Sequence, residues 1–381
     1  MLTEQVEDSM AILADLTNRY ANAIWEVGFS GGKDSTLLLH LLVEFLEERM
    51  AKQRPRLPKA IYVVYEDTLL DIPPIRQHAL KVLHDLSSYS REVLNGLLKP
   101  MIVRPARGRD FFSMMIEQGY PAPHYRFRWC VRVLKVGPVR SFLAKLTAMG
   151  KVIMLTGLRA DESNFRRRVI RRRMMREKEN LIKVAPLLNW REEQVFAFIR
   201  QNKQPWNGHD YSLLLAFYKQ LSPTDVNKQI RYGCWTCTVI RKEKALYELE
   251  KSGLCPYAGA LARAKEALRD ISQRAEFRVK GSGKWRFGRL NKLGRSAVKA
   301  ILAWALTRAP EGLTAYIEVP YLREKLMRWL KGLLDHLDWL RDVPLDVHIG
   351  IVKEALDTVS TGHIHDPLHG EPSSSAAIKV Y

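Results

Sequence analysis

The first half of the chain alternates between short, continuous apolar runs and longer stretches whose apolar residues recur at helical spacing. Short runs rich in β-branched and aromatic residues are typical of buried strands, and a period near 3.6 residues is typical of helices. Strands that alternate with helices predict a parallel sheet covered on both faces. Strands are predicted in Ala23–Phe29, KAIYVVYEDT, KPMIVRPA and KVIMLTGLRADES, and helices over 2–20, 35–50, 73–86, 111–118 and 138–149.

Three of the predicted strands end in polar residues. SGGKDS follows the first strand, EDT the second and TGLRADES the fourth. Ligands of parallel sheets bind outside the carboxyl ends of the strands, because the loops that leave those ends meet at one edge. We therefore expect the three polar segments to lie together on one rim and to form the binding site.

The strand signals fade after about residue 183. APLLNWREEQVFAFIRQN predicts a loop and a helix, and REKLMRWLKGLLDHLDWL is strongly amphipathic. We expect an α/β fold with a doubly wound, mostly parallel sheet and a helical, cysteine-bearing C-terminal extension. The expected parts are the α/β domain over 1–200, a cysteine-bearing basic segment over 201–295, a helical region over 296–361 and a disordered tail over 362–381.

The charge of the chain indicates an anionic partner. Lys and Arg number 61 against 41 Asp and Glu, which gives a net charge of +20. Such an excess of positive charge favours nucleic acid over an anionic membrane as the partner. A heat-adapted protein is the alternative, but its charged surface would explain a large number of charged residues and not a surplus of positive ones. No apolar run reaches the roughly 18 residues of a membrane span, and the N-terminus carries acids where a secretion signal carries bases. We expect a cytoplasmic protein without a membrane partner.

The segment SGGKDS has the composition of an anion-binding turn. Glycines let the backbone approach an anion closely, and the first amides of a helix point at it with a favourable dipole. Lys33 adds a positive charge, and Ser30 and Ser35 add hydroxyl donors. The segment matches neither the Walker A spacing nor G-x-G-x-x-G. A phosphate-binding loop is favoured over an ordinary tight turn with an Asp or Ser helix cap.

The four cysteines of the chain suit a metal centre. A disulfide scaffold is not expected from so few cysteines in a chain of this length. Four thiolates suit either a zinc ion or a [4Fe–4S] cluster, and a plain zinc site normally pairs two Cys-x-x-Cys knuckles. One knuckle is present, which favours the cluster, while zinc, buried structural thiols and a dithiol redox pair stay open as alternatives. The candidate metal ligands are Cys130, Cys234, Cys237 and Cys255.

SGGKDS resembles the PP-loop of the ATP pyrophosphatase superfamily, which includes adenylating enzymes and the related 3′-phosphoadenylylsulfate (PAPS) reductases. YVVYEDTLLDIPP is similar to the second-strand segment of that family, and TGLRADESNFR resembles its Gly-x-Arg-x-x-Glu-Ser signature. GYPAPHYRFRWCVRVLKVGPV and APLLNWREEQVFAFI also resemble family segments, and the matches run in order from about residue 23 to 256. The resemblance implies an adenine nucleotide alpha hydrolase-like fold with a nucleotide-binding domain over 1–200.

The resemblance implies that ATP binds at the rim with Mg²⁺ and is attacked at its α-phosphorus with loss of pyrophosphate. Asp34 would help to place the magnesium ion. For Arg159 and Glu162, an ion pair at the rim is the alternative. The implied catalytic residues are Lys33, Asp34, Asp67, Arg159 and Glu162, and the implied nucleotide-binding residues are Ser30, Gly31, Gly32, Lys33, Asp34, Ser35, Asp67, Thr68, Gly157 and Arg159.

The surroundings of the cysteines sharpen the resemblance. RWC before LKVGP, and RYGCWTCT, are similar to segments of the DndC-type proteins of DNA phosphorothioation systems, which carry an iron–sulfur cluster on four cysteines. PAPS reductases have a nucleophilic cysteine in a C-terminal Glu-Cys-Gly-Leu-His motif, which this chain lacks. That departure argues against sulfonucleotide reduction through a covalent intermediate. If one cysteine is catalytic and not a ligand, Cys255 is the candidate.

Two basic stretches are candidates for contact with nucleic acid. FRRRVIRRRMMREK holds seven arginines directly after the rim segment TGLRADES, and RAEFRVKGSGKWRFGRLNKLGR interleaves aromatic residues with bases. Arginines of this density suit phosphate contacts, and aromatics among cations can stack on bases. A solvated helix face and a simple hairpin are the alternatives. The candidate residues are Arg166, Arg167, Arg168, Arg171, Arg172, Arg173, Lys284, Trp285 and Arg286.

The expected function is ATP-dependent sulfur transfer to nucleic acid, and the resemblance favours phosphorothioation of the DNA backbone. The alternatives are a PAPS or adenylylsulfate reductase and a tRNA thiolation enzyme. The implied cofactors are ATP, Mg²⁺ and a [4Fe–4S] cluster. The implied partners are nucleic acid, with DNA favoured over tRNA, a cysteine desulfurase or other sulfur donor, and other proteins of a phosphorothioation system.

Overall fold

The structure is a computed structural model of the chain. It describes residues 2–52, 56–162, 180–219, 232–240, 242–280, 287–334, 344–361 and 378–380. All structural statements below refer to these residues.

The central feature is a parallel sheet with the strand order β5-β4-β1-β2-β3-β8. Each neighbouring pair is parallel, as the alternation of strands and helices predicts. A two-stranded antiparallel hairpin, β6–β7, lies apart from this sheet. The strands are β1 (Ile24–Phe29), β2 (Ala60–Glu66), β3 (Leu98–Val103), β4 (Val152–Leu155), β5 (Leu181–Val184), β6 (Arg278–Lys280), β7 (Phe287–Leu290) and β8 (Lys379–Val380).

The helices are numbered in chain order. A π-helical turn, Val131–Val136, runs directly into the fifth α-helix. The α-helices are α1 (Leu2–Arg19), α2 (Lys33–Met50), α3 (Pro73–Glu92), α4 (Phe111–Ile116), α5 (Gly137–Met149), α6 (Glu192–Gln201), α7 (Ser212–Lys219), α8 (Ala245–Lys251), α9 (Ala258–Gln273), α10 (Lys292–Arg308), α11 (Thr314–Glu318), α12 (Pro320–Leu334) and α13 (Ile349–Thr361).

Both faces of the sheet are covered. One face forms a core with α2, α3 and α6, to which β1 contributes Trp25, Val27 and Phe29. The other face packs Ile24 and neighbouring apolar residues against α5. The strand order runs outward from β1 in both directions, through β2 to β3 and through β4 to β5. The switch point of the topology therefore lies between β1 and β4, where the loops after these strands diverge and leave a crevice.

A second large core joins the C-terminal helices to the α/β domain. Phe112 of α4, Trp235 of the cysteine-bearing segment and Trp304 of α10 belong to the same buried cluster. Within it, the hydroxyl of Tyr316 donates a hydrogen bond of 3.0 Å to Oδ1 of Asp110, the residue that caps α4. The cysteine-bearing segment is thus held between the sheet domain and the helical extension.

The predicted α/β fold is confirmed, with three differences in detail. β5 was not predicted, because Lys183 interrupts the short apolar run that would indicate a buried strand. α3 extends to Glu92, beyond the predicted end near residue 86. β8 lies within the tail that was expected to be disordered, and it pairs with Met101 and Ile102 of β3. Edge pairing of this kind depends on a distant strand and leaves no local pattern.

No helix within the described residues is both long and apolar enough to cross a membrane.

A buried carboxyl lies within the central strand. Glu26 is 1% exposed, and its Oε2 has no hydrogen-bond partner among the described residues. Burial, opposed by the charge of Lys183 and aided by that of Glu66, raises the pKa of Glu26 to about 8. The native protein therefore holds this carboxyl neutral at pH values where an unfolded chain ionises it.

This difference makes stability depend on pH. Well below the ordinary pKa of 4.5, the carboxyl is protonated in both states. As the pH rises from there towards 8, the unfolded chain gains stability by ionising while the native state does not. The free energy of unfolding should fall over this range. Glu26→Gln should remove this contribution, with an effect on the order of 3 kcal/mol between pH 5 and pH 8 in urea denaturation. Glu48→Gln, at an exposed position of α2, is the control and should keep the wild-type pH dependence. A Glu26→Gln variant with that same dependence would contradict the assignment.

Candidate functional site

The turn after β1 requires a glycine at position 31. Gly31 has a φ of +72°, and a Cβ there would lie 2.9 Å from the Cβ of Ala79 in α3. An L side chain would meet both a strained backbone and a steric clash. The close packing of the turn on α3 is therefore built into the sequence, and it brings the backbone to the start of α2.

Hydroxyl groups brace the turn from within. The Ser30 amide donates to Oγ of Ser35 at 3.2 Å, and that hydroxyl also lies 3.0 Å from the carbonyl oxygen of Gly32. Gly32 is the N-cap of α2 and has no side chain to occupy the first amides of the helix. The hydroxyl of Tyr218 accepts from the Lys33 amide at 3.3 Å. The positive end of an 18-residue helix thus faces the turn, which suits an anion.

Lys33 is held in a cage of acids and aromatic rings. Its Nζ lies 3.1 Å from Oε1 of Glu192 and 3.3 Å from Oδ2 of Asp34. The ammonium also stands 5.1 Å from the centre of the Tyr218 ring and 5.7 Å from that of Phe196. Burial alone would lower the pKa of Lys33, but Asp34 leads the nearby groups that hold it above its ordinary value. The residue is therefore a fixed positive charge at the turn.

Arg159 approaches the same carboxylate from the loop after β4. Its Nε lies 2.7 Å from Oδ1 of Asp34, and the side chain is 1% exposed. Nη1 has no hydrogen-bond partner among the described residues, although it lies 3.6 Å from Oδ2 of Asp161. A buried guanidinium with an unsatisfied N–H group is costly unless a ligand completes it. Gly157 permits this approach, because a Cβ there would lie 3.0 Å from the carbonyl oxygen of Asp34.

Asp34 therefore bridges the two cations of the site. One carboxylate oxygen binds Lys33 and the other binds Arg159. Such a carboxylate positions the two cations, and its predicted role in placing Mg²⁺ stays a prediction.

Asp67 is fully engaged with two arginines. Arg76 binds it with two hydrogen bonds of 3.1 and 3.0 Å, and Nε of Arg104 donates a third of 3.0 Å. Burial alone would raise the pKa of Asp67. The Arg76 guanidinium nevertheless holds this pKa below its ordinary value, and the charge of Arg104 and a hydrogen bond from the Leu69 amide act in the same direction. Asp67 thus serves as the anchor of two cations at the rim. Sequence reasoning missed both arginines, although Arg104 stands just past the end of β3, where parallel strands place ligand contacts.

The cysteine-bearing segment binds directly to the loop after β2. The Trp235 amide donates to the carbonyl oxygen of Leu70 at 2.9 Å, and Asp71 and Cys234 form an antiparallel bridge. Oγ1 of Thr68 lies 3.2 Å from Sγ of Cys234 and donates to Oδ1 of Asp71 at 2.9 Å. The predicted nucleotide residue Thr68 and the predicted metal ligand Cys234 are therefore in contact.

Three of the four cysteines interact electrostatically with one another, and two of them also interact with Lys135. Burial alone would lower the pKa of Lys135. The nearby Cys234 and Asp71, and to a smaller extent Cys130, nevertheless raise it above its ordinary value. Burial and then Asp71, with a smaller contribution from Cys237 and against the charge of Lys135, raise the pKa of Cys234 to about 12. Burial and then Cys237 raise the pKa of Cys130. The π-helical turn places Cys130 immediately before it and Lys135 within it.

Cys255 has different surroundings. It is fully buried, and burial raises the pKa of its thiol to about 12. Its charged neighbours are Glu311 and Glu250, and Tyr257 lies in hydrogen-bond contact with it. Electrostatic interactions thus link Cys130 and Cys234 to Lys135 and to Cys237, whereas the charged neighbours of Cys255 are carboxylates.

The donor chemistry of Cys130, Cys234 and Cys237 fits a thiolate-bound iron–sulfur cluster. Thiolates are the ligands of such clusters, and the ammonium of Lys135 would offset their negative charge. Within the described residues, no three candidate ligands lie close enough to hold a metal ion as they stand. Binding of a cluster would therefore draw the thiols closer together and displace their protons.

Part of the predicted site lies outside the described residues. Glu162 ends a 3₁₀ turn, Ala160–Glu162, but its side chain is not described. The same holds for all nine residues predicted to contact nucleic acid, namely Arg166, Arg167, Arg168, Arg171, Arg172, Arg173, Lys284, Trp285 and Arg286. These assignments stay predictions.

Two curated relatives are similar to part of the chain. An uncharacterized protein of Methanocaldococcus jannaschii is 28% identical over 186 residues, which cover 47% of this chain and 36% of the relative. The adenosine 5′-phosphosulfate reductase of Allochromatium vinosum is 37% identical over 78 residues, which cover 20% of this chain and 28% of the relative. The chain thus spans well under half the length of either relative.

Two solved structures are weakly similar to the chain. The phosphoadenylyl-sulfate (PAPS) reductase of Candida auris in complex with phosphate has a TM-score of 0.37 and 17% identity, covering 60% of this chain and 88% of that one. The U34-tRNA thiolase NcsA of Methanococcus maripaludis with its [4Fe–4S] cluster has a TM-score of 0.35 and 14% identity, covering 80% of this chain and 86% of that one.

The match to a protein family is the broadest of these similarities that rests on sequence. The phosphoadenosine phosphosulfate reductase domain matches residues 25–239, which include the anion-binding turn, the rim after β2 and β4, and three of the four cysteines. Since the match covers more than half of the 381 residues, the chain belongs to the phosphoadenosine phosphosulfate reductase domain family.

Proposed function

We propose that this protein is an ATP-dependent enzyme that transfers sulfur to nucleic acid, with the DNA backbone as the favoured acceptor. The observation that carries the proposal is the 3.2 Å contact between Oγ1 of Thr68 and Sγ of Cys234. Through this contact a nucleotide held at the rim and a sulfur held by the cysteines would share one site. Membership of the family supports an enzyme, and the adjacency of rim and thiols supports sulfur transfer.

The proposed reaction proceeds in two displacements. A non-bridging oxygen of a nucleic-acid phosphate attacks the α-phosphorus of ATP, and the bond from that phosphorus to pyrophosphate breaks. Sulfide then attacks the adenylated phosphate, and AMP departs with the attacking oxygen. The product is a phosphorothioate, and no electrons are exchanged overall.

The residues of the turn would serve the first displacement. The amides at the start of α2 and the ammonium of Lys33 would hold the phosphates and offset the charge that develops on pyrophosphate. The free N–H group of Arg159 would complete its hydrogen bonding on the same anion. Asp34 would keep both cations in place, because it binds each of them within the site.

The cysteines would bind the group that holds the sulfur for the second displacement. A bound [4Fe–4S] cluster would supply iron at which sulfide can be held close to the rim. Cys130, Cys234 and Cys237 would be its ligands, with Lys135 balancing their charge. The donor would be free sulfide, or a cysteine desulfurase whose persulfide is cleaved to sulfide by a thiol reductant that becomes a disulfide. Other proteins of a phosphorothioation system are proposed partners. The similarity of RWC and RYGCWTCT to DndC-type proteins supports DNA as the acceptor.

Two other activities fit the same family. A PAPS or adenylylsulfate reductase would need a nucleophilic cysteine, and the Glu-Cys-Gly-Leu-His motif that carries it is absent from the sequence. A tRNA thiolation enzyme would apply the same ATP chemistry to a base. The products of the three reactions are a phosphorothioate in DNA, a thiolated nucleoside in tRNA and free sulfite, so they can be told apart.

The product test compares cells that contain the wild-type protein, the Lys33→Ala variant or no protein. Total DNA and tRNA would be digested with nucleases and measured by mass spectrometry. We expect phosphorothioate dinucleotides in DNA that require the wild-type protein, because phosphate activation depends on the turn. Loss of thiolated nucleosides from tRNA instead would establish tRNA thiolation. Release of sulfite from PAPS or adenylylsulfate by the purified protein would establish the reductase.

Lys33→Ala should weaken ATP binding by about tenfold or more, because a charge-assisted contact to phosphate is lost. Isothermal titration of the purified variant with Mg-ATP measures this effect. Lys59→Ala, at an exposed position before β2, removes the same charge outside the site and should bind ATP as the wild type does. Equal affinity of the Lys33→Ala and wild-type proteins, with both folded by circular dichroism, would remove the turn from the nucleotide site.

Protein purified without oxygen should be brown and contain about four irons per chain. Cys130→Ser, Cys234→Ser and Cys237→Ser should each lose most of the iron and the visible absorbance. Cys255→Ser should retain both if the ligands are the three thiols proposed above, and loss of iron from this variant would restore the four-cysteine ligand set. Colourless wild-type protein with stoichiometric zinc would refute the cluster.

A further inference from the structure

A cavity of about 760 Å³ lies between α4, the β6–β7 hairpin, α10 and α12. Its volume falls within the range of small-molecule and cofactor sites. Ile116, Leu290 and Trp329 form its apolar part. None of its residues belongs to the turn, the rim or the cysteine site described above, so the cavity needs a separate explanation.

The charged lining of this cavity is almost entirely positive. Its single acid, Glu117, accepts a hydrogen bond of 2.8 Å from Nζ of Lys325 and is thereby neutralised. Cations that line one concavity repel one another, and the low-dielectric walls focus their field on an anion. The cationic residues that line it are Lys292, Arg295, Lys299 and Arg328.

Two of these cations have no partner within the part of the chain that the structure describes. Lys299 on α10 and Arg328 on α12 make neither a hydrogen bond nor an ion pair there. Burial lowers the pKa of Lys299, which is the cost of holding a half-buried ammonium without a counter-charge. Arg295 differs, because its guanidinium donates to the carbonyl oxygens of Leu290 and Glu117 and is thereby fixed in position.

The cations of α10 form a row along the helix and are not clustered at one place. Lys292, Arg295 and Lys299 follow one another at intervals of three and four residues, so they share one face of α10. The row extends about 10 Å along the helix axis, because seven residues rise 1.5 Å each. A single phosphate group is shorter than this, whereas a strand with repeated phosphates matches it. The net charge of +20 favours a polyanion in the same way.

We propose that this cavity, with the cationic face of α10 and Arg328 of α12, binds the phosphodiester backbone of a nucleic-acid strand. The inference rests on the proposed function in taking nucleic acid as the partner, and it adds a docking site on the helical extension that is separate from the nucleotide site. Lys299 and Arg328 contact phosphates, and Arg295 orients the strand from its fixed position.

The test measures the affinity of the full chain for a labelled duplex DNA by fluorescence anisotropy over a series of salt concentrations. Lys299→Ala/Arg328→Ala should weaken binding by about tenfold and reduce the slope of log affinity against log salt by about 1.8, because two phosphate contacts are lost. Arg308→Ala/Lys331→Ala is the matched control, since it removes two exposed cations from the same two helices outside the cavity. The control should keep the wild-type slope to within about half a unit.

The remaining arms separate the possible failures. ATP affinity, measured on the same variants, should be unchanged, because the nucleotide site is not altered. A wild-type protein that binds neither duplex DNA nor tRNA would overturn the nucleic-acid partner of the proposed function and this inference together. Equal slopes for the cavity and control variants would overturn only the cavity assignment. Cavity-dependent binding of inorganic phosphate, AMP or anionic lipid vesicles, with no cavity dependence for nucleic acid, would also overturn it.

Discussion

The site depends on the pairing of the cysteine-bearing segment with the loop after β2. The backbone of Leu70 and Asp71 binds Trp235 and Cys234, and this pairing sets the distance between the rim and the thiols. Backbone hydrogen bonds fix position more strictly than side-chain contacts, because both partners are part of the main chain. Trp235 is 1% exposed and belongs to the core shared with the C-terminal helices. The helical extension therefore holds the sulfur-bearing part of the site against the part that suits a nucleotide.

Charge compensation organises the rest of the rim. Asp34 joins Lys33 to Arg159, and Asp67 is saturated by two arginines. Each carboxylate orients the two cations that it binds, and Glu192 and Asp161 add further negative charge beside Lys33 and Arg159. Cations that are already oriented in this way need little rearrangement when a ligand arrives. The acids of the rim therefore set the geometry of its bases.

The same principle separates the rim from the cavity in the helical extension. At the rim, buried carboxylates orient the cations, whereas the Lys299 and Arg328 of the cavity lack such partners among the described residues. Preorganised cations suit a defined phosphate at which a reaction occurs. A row of cations along a helix suits a repeating anion that is held in several registers. The two surfaces would therefore divide the work between activation and docking.

The sequence by itself determined the α/β fold, the turn at the start of α2 and the family, because these depend on local patterns: strand and helix periodicity, and six consecutive residues at a strand-to-helix junction. It also named Asp34, Asp67 and Thr68, but not what they touch. Only the tertiary structure decided that Asp67 is an anchor for Arg76 and Arg104, that β8 completes the sheet edge, and that Glu311 and Glu250 are charged neighbours of Cys255. These features join residues far apart in the chain, and such contacts are set by packing, burial and charge balance, which leave no periodic signal in the sequence.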